Sequence, residues 1–396
     1  MEYPTGLREK VKVMKKVLSI LLVVMLMTAL VSCIGGGSSQ STTTTPTQEI
    51  ETTTTTTTQP TETTTTTTTT NQDSPVDPPE DERYSEGLEF TLNEDGESYS
   101  VAGIGTCTDT DIVIPDTYES LPVTSIGERA FRRRILLTSV VIGDSVTSIG
   151  DYAFDDCKSL TSVVIGDSVT SIGDYAFDRC SSLTSIEVDE NNEYYKSIDG
   201  NLYSKDGKIL VQYAIGKEDT SFVIPNGVTS IGNYAFDGCT SLTSVVIGDS
   251  VTNIGDCAFY YCTSLTSIEI PDSVTSIGEY AFENCLSLTS IEIGDSVTSI
   301  SDCVFWYCPS LTSIVIGDSV KSIGRSAFQC CTSLTSIEIP DSVTSIGEYA
   351  FYCISLTRIN FDGTVEQWNA ISKDSNWNYY APATEVVCSD GVVTIE

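Results

Sequence analysis

Apolar side chains recur along this chain with a fixed period. The step from Phe131 to Phe154 repeats from Phe154 to Phe177, and again through Phe236, Phe259, Phe282, Phe305, Phe328 and Phe351, always as i, i+23. One unit reads Leu160-Thr-Ser-Val163-Val-Ile165-Gly-Asp-Ser-Val169-Thr-Ser-Ile172-Gly-Asp-Tyr-Ala176-Phe177-Asp-Arg-Cys180. Its eight apolar positions cannot be buried by one unit alone, so units must stack on one another. Val163-x-Ile165 alternates with period two and is β-branched, which predicts a strand. Val169-x-x-Ile172 predicts a second extended piece or a turn. The recurrent Ser-Ile-Gly-acid, as in Ser148 to Asp151, resembles a capping box and predicts a short helical or 3-10 turn before Ala-Phe. Each coil then returns to its start, and successive strands pair in parallel about 4.8 Å apart. The expected architecture is a solenoid of about ten coils with a capped core at each end.

The recurring Leu-Thr-Ser-Ile-x-Ile-Pro-Asp-Ser-Val-Thr-Ser-Ile-Gly-x-x-Ala-Phe-x-x-Cys, complete at residues 265–285, resembles the BspA-like leucine-rich repeats of prokaryotic surface proteins. The resemblance spans about residues 88–396. It implies a leucine-rich repeat solenoid and a role in adhesion, host or matrix binding, or cell contact. Ligands vary within that family, so the fold carries over and the ligand does not.

The period defines the boundaries. Residues 84–130 form an N-terminal cap and first coil, in which Phe90-Thr-Leu and Tyr99-Ser-Val read as strands. Residues 131–356 are the repeats, and residues 357–396 a C-terminal cap around Trp368, Trp377 and Cys388. The gap from Phe177 to Phe236 holds one repeat and a further stretch that breaks the period. This insertion, residues 189–222, carries Asp199-Gly200 and Asp206-Gly207, dipeptides of hairpin turns. It either shapes one edge of a binding face or is a tolerated elaboration.

The N-terminus reads as an address. Met14-Lys15-Lys16, an apolar run from Val17 to Leu30 and Leu30-Val31-Ser32-Cys33 make a signal peptide over residues 1–32, and Met14 fits a start better than Met1. Leu-Val-Ser-Cys resembles a lipobox, which would make Cys33 the lipidated first residue of the mature chain. Residues 33–83 follow as a stalk. Between Gln40 and Asn71 about two thirds of the positions are threonine, a composition with nothing to bury.

Composition narrows the chemistry. The 20 basic and 55 acidic residues give a net charge of -35, which disfavours nucleic acid. The absence of histidine removes His-based triads, general bases and metal ligands. No cofactor is expected, and the membrane is expected to be reached through the lipid alone. An enzyme would need a non-repeating pocket, and neither the insertion nor the C-terminal cap shows a recognisable constellation. Cys157, Cys180, Cys239, Cys262, Cys285, Cys308 and Cys331 hold one repeat position. This reads most simply as a ladder of small buried side chains, although neighbouring coils lie near disulfide distance. Cys107, Cys257, Cys303, Cys330 and Cys388 lie outside this ladder.

Residues between the inward ones of each strand face out. One row is Ser139, Ser162, Ser185, Ser244, Ser267, Ser290, Ser313 and Ser336. Its neighbour is Val141, Val164, Glu187, Val246, Glu269, Glu292, Val315 and Glu338. Together they are either a binding face for an extracellular protein or glycan, or a merely solvated sheet. A structural spacer without a ligand is the alternative function. Asp144, Asp167, Asp249, Asp272, Asp295, Asp318 and Asp341 form an acidic row after Gly or Pro. It suits turns, with calcium at Asp249, Asp272, Asp295 and Asp318 as the weaker reading. Tyr152, Tyr175, Tyr234, Tyr280 and Tyr349 form a broken row suited to packing or to sugar stacking.

Overall fold

The computed structural model describes residues 84–395, which lie in one compact unit. The signal peptide, Cys33 and the Thr-rich segment lie outside the described residues.

The chain winds into a parallel-strand solenoid of about 13 turns. Among the described residues, twelve short strands from Asp111–Ile114 to Glu385–Val387 line one face. A second face is built from mostly two-residue strands such as Ser148–Ile149 and Ser171–Ile172. Register is set by the period: Ser185 lies beside Ser162, and Ile186 beside Val163. The coil count exceeds the expected ten because strands without the repeat signature extend both ends. Asp111–Ile114 pairs with Ser139–Ile142, and Arg358–Phe361 pairs with Ser336–Ile339 before handing on to Glu385–Val387.

The third side holds the phenylalanines. Their rings are fully buried and stack coil on coil, with centroids 4.8–5.6 Å apart and planes within 13°. The helical turn expected here is absent. Tyr152, Tyr175, Tyr234 and Tyr280 have φ between 56° and 59°, a left-handed conformation that a right-handed helix cannot contain. Alternate amides explain the choice. Ala153 donates within its own turn to Gly150, whereas Tyr152 and Phe154 donate forward to Asp174 and Ala176 of the next coil. The segment thus trades helical bonds for rungs of the stack. The α-helix of the described residues is Val365–Ala370, where Thr364 and Gln367 form a true capping box.

Small residues permit this close approach. In each Ser-Ile-Gly, the glycine amide donates to the aliphatic residue's carbonyl one coil back, as Gly324 to Ile300 and Gly347 to Ile323, both at 2.8 Å. A Cβ at Gly347 would meet the Arg325 nitrogen at 2.6 Å and the Gly324 carbonyl carbon at 2.7 Å. Ser301 occupies this position in one coil. There the hydroxyl, rather than the amide, reaches Ile277 O at 2.6 Å, and the ladder breaks between Ser276–Ile277 and Ser299–Ile300.

The described cysteines are free, and the ladder is buried. The ladder thiols other than Cys239 donate to the phenylalanine carbonyl of the preceding coil at 2.9–3.3 Å, as Cys285 to Phe259. Cys353 joins them through Phe328, one residue early because its coil is one residue short. Burial pushes the Cys239, Cys285 and Cys331 thiols well above their usual range. Cys257 and Cys303 instead occupy the tyrosine row, in the same left-handed conformation. Alkylation of the native chain at neutral pH is therefore expected to leave the ladder thiols unmodified until denaturant is added. Rapid native labelling of Cys285 would show that the ladder is open.

Candidate functional site

The long-strand face carries the two rows named from the sequence. Val140, Val163 and Ile268 point into the core, so the residues between them point out. Ser162, Ser185 and Ser244 are half-buried, and Ser267, Ser290, Ser313 and Ser336 are exposed. The adjacent row is exposed throughout: Val164, Glu187, Val246, Glu269, Glu292, Val315 and Glu338. Val246 and Val315 are about half exposed, at 52% and 48%.

The threonines beside the serines have a different task. Oγ1 of Thr161, Thr184, Thr243, Thr266, Thr289 and Thr312 donates to the threonine carbonyl of the preceding coil at 2.9–3.1 Å. These hydroxyls brace the rungs, and the Ser and Val/Glu rows remain as the surface a partner would meet. The structure adds a member that the sequence concealed. Val223 pairs with Val246 in register and is 60% exposed. Exposed valines thus form two pairs, Val141–Val164, with Glu187 beside Val164, and Val223–Val246 in the next sheet.

The acidic row after Gly or Pro serves the turns. The Asp295 amide donates to Asp272 Oδ1 at 2.9 Å, and the Asp318 amide donates to Asp295 Oδ1 at 3.2 Å. Each carboxylate thereby caps the next coil. Among the described residues, no group of three or more Cys, Asp or Glu is arranged to hold a metal ion. A parallel ladder on the opposite corner was not foreseen: Asp151, Asn233, Asp256 and Asp302 each accept the amide of the next coil. Tyr152 stacks on Tyr175 with centroids 4.8 Å apart, and Arg129 lies 5.0 Å over Tyr152.

The insertion holds a coil in disguise. Tyr195–Ile198, Asn201–Ser204 and Ile209–Gln212 form an antiparallel meander, whose third strand joins the second face beside Ser230–Ile231. Asp199 and Gly200 both adopt positive φ, the conformation of a two-residue hairpin turn. Tyr213 then takes a phenylalanine's place, 5.3 Å from Phe236, and its amide donates to Ala235 O. This coil is cut short. Only Val211 and Gln212 separate Leu210 from Tyr213, whereas Gly232, Asn233, Tyr234 and Ala235 separate their partners Ile231 and Phe236. The missing residues leave a cleft of about 190 Å³, lined by Tyr175, Phe177, Leu202, Gln212 and Tyr234.

The model of the BspA type leucine rich repeat region matches residues 105–209, 215–313 and 252–376, about two thirds of the chain. The chain belongs to the BspA-type leucine-rich repeat family. A leucine-rich repeat protein from Eubacterium ventriosum is similar in structure, with 26% identity and a TM-score of 0.56 over 76% of this chain and 94% of that one. A leucine rich cell surface protein from Faecalibacterium prausnitzii is 29% identical, with a TM-score of 0.41 over 74% of this chain and 98% of its own. No curated protein matches the sequence. Membership of the BspA-type family accounts for the stacked Phe and Cys rows as one repeated unit.

Proposed function

We propose that this BspA-type protein is exported, anchored by lipid at Cys33, and binds an extracellular protein through the long-strand face of its solenoid. The observation that carries this reading is the exposed valines in register on an otherwise hydroxyl- and carboxylate-covered sheet. Apolar side chains held out on a rigid surface gain nothing from folding, and are the kind of contact that a partner desolvates. Repeat solenoids characteristically bind along such extended faces. Binding rather than catalysis fits a surface whose groups repeat coil after coil and do not converge. The family supports a place on the cell surface. The basic, apolar and Leu-Val-Ser-Cys sequence before the stalk supports the lipid anchor.

The test is a binding screen of extracellular proteins and glycans against the full chain and the double variant Val223→Lys/Val246→Lys. A protein partner that loses about tenfold or more in affinity with the variant supports the reading. A glycan as the sole ligand would replace the partner class, and no binding at all would favour a structural spacer. Cys33→Ala is expected to move the chain from the membrane fraction to the medium. Retention in the membrane would refute the anchor.

A further inference from the structure

The buried core of the solenoid divides at one place. The buried residues form two clusters, one from Leu88 to Leu202 and the other from Tyr203 to Cys388. Phe177 stacks on Phe154 behind it, and the next ring in line, Tyr213, packs on Phe236 ahead of it. The long-strand sheet is also interrupted, between Ser185–Val188 and Ser221–Val223. At the phenylalanine edge the truncated coil lets residues two coils apart meet across the cleft. Tyr175 and Tyr234 approach to 3.8 Å between centroids.

Beside them the Asp178 and Asp237 carboxyls lie within hydrogen-bonding reach of each other. Two carboxylates held together away from water repel, which favours one proton between them. The pair is enclosed: Asp237 is 7% exposed and the Asp178 side chain 10%. Among the described residues, no basic group is free to neutralise a second charge. Arg179 is the cation that reaches the pair, lying 3.2 Å from Asp178. It also binds Asp155 at 2.8 Å, while Arg132 binds Asp155 at 2.6 Å. The other groups facing Asp237 are Cys239, Cys257, Cys262 and Tyr260, all with pKa values raised by burial and therefore uncharged near neutrality.

We propose that this junction is a proton-locked joint between two half-solenoids, closed by the proton shared between Asp178 and Asp237 and loosened as that proton is lost. Burial, then the Asp178 charge, holds the Asp237 carboxyl at about 9, against an ordinary value near 4 once the joint opens to water. Between those values the closed joint holds at least one proton more than the open one, because burial raises the Asp178 carboxyl as well. Acid therefore favours closure, and the opening constant rises about tenfold or more per pH unit from about pH 4 to about pH 9. Outside that window the pair contributes no pH dependence.

The test is hydrogen exchange on the full chain from pH 5.5 to 8, with rates corrected for intrinsic exchange. The probes are the amides that tie the joint together: Gly216, bonded to Leu183 O, Ala214, bonded to Asn201 Oδ1, and Ile186, bonded to Gly200 O. Protection there is expected to fall by about two orders of magnitude or more across the range. Protection of Gly324 and Gly347, far from the joint, should stay level. Asp237→Asn keeps a donor for Asp178 but cannot titrate, and should flatten the joint's profile; Asp178→Asn leaves the buried Asp237 to titrate and should keep a slope. Wild-type protection at the joint that does not vary with pH, or a slope that survives undiminished in Asp237→Asn, would overturn the proposal. Should neither variant fold, the wild-type profile decides alone.

Discussion

Phe282→Ala is expected to lower the stability of the solenoid by about 3–5 kcal/mol. The ring is fully buried between Phe259 at 5.1 Å and Phe305 at 5.6 Å. Neighbouring coils are held at their spacing by backbone bonds on all three sides, so they cannot close on the space left behind. The loss then combines the transfer term with most of the cavity term. In a solenoid the consequence is also local, because each coil contacts only its neighbours. The denaturation curve should therefore broaden or split about the altered coil, in addition to shifting. Urea titration followed by circular dichroism measures both effects. A loss below about 1 kcal/mol would mean that the phenylalanine column is not the common interior of the stack.

Gly347→Ala is expected to cost about 2 kcal/mol by forcing two coils apart. The new methyl would press on the backbone of Gly324 and Arg325, and relief requires giving up the bond from the Gly347 amide to Ile323 O. Ser301 shows what a side chain at this position does: the ladder parts, and a hydroxyl takes over the contact to the coil behind. Gly347→Ser should accordingly be milder than Gly347→Ala. The two variants compared by urea midpoint check this, and equal costs would show that the hydroxyl rescue at Ser301 is incidental.

The acidic row illustrates why spacing alone left its role open. Asp272 and Asp295 recur at the repeat interval whether they gather a cation or cap a turn. The distance from Asp272 Oδ1 to the Asp295 amide identifies the cap. The tyrosine row divides in a similar way. Tyr152 and Tyr175 pack ring on ring, whereas Cys257 and Cys303 sit at equivalent positions and share only the backbone conformation. The Ser-Ile-Gly-acid signature misled for a local reason. Its residues satisfy a helix start, but the amides that follow find better partners in the neighbouring coil than in their own turn.

The sequence by itself determined the solenoid, its direction of stacking and its inward residues. A constant period places Val163, Phe177 and Cys180 at the same depth in coil after coil, and no other packing buries them all. It also placed the Ser and Val/Glu rows on the outside, since period-two alternation admits one arrangement once the core is known. The tertiary structure alone decided where the period is kept without its signature. The coil through Tyr213 lacks both the alanine and the phenylalanine of the repeat, and Val223 reveals its face only through its pairing with Val246. Only the folded chain brings Asp178 to Asp237. They are distant in sequence, with the whole insertion between them, and the coil that separates them is too short to keep them from meeting.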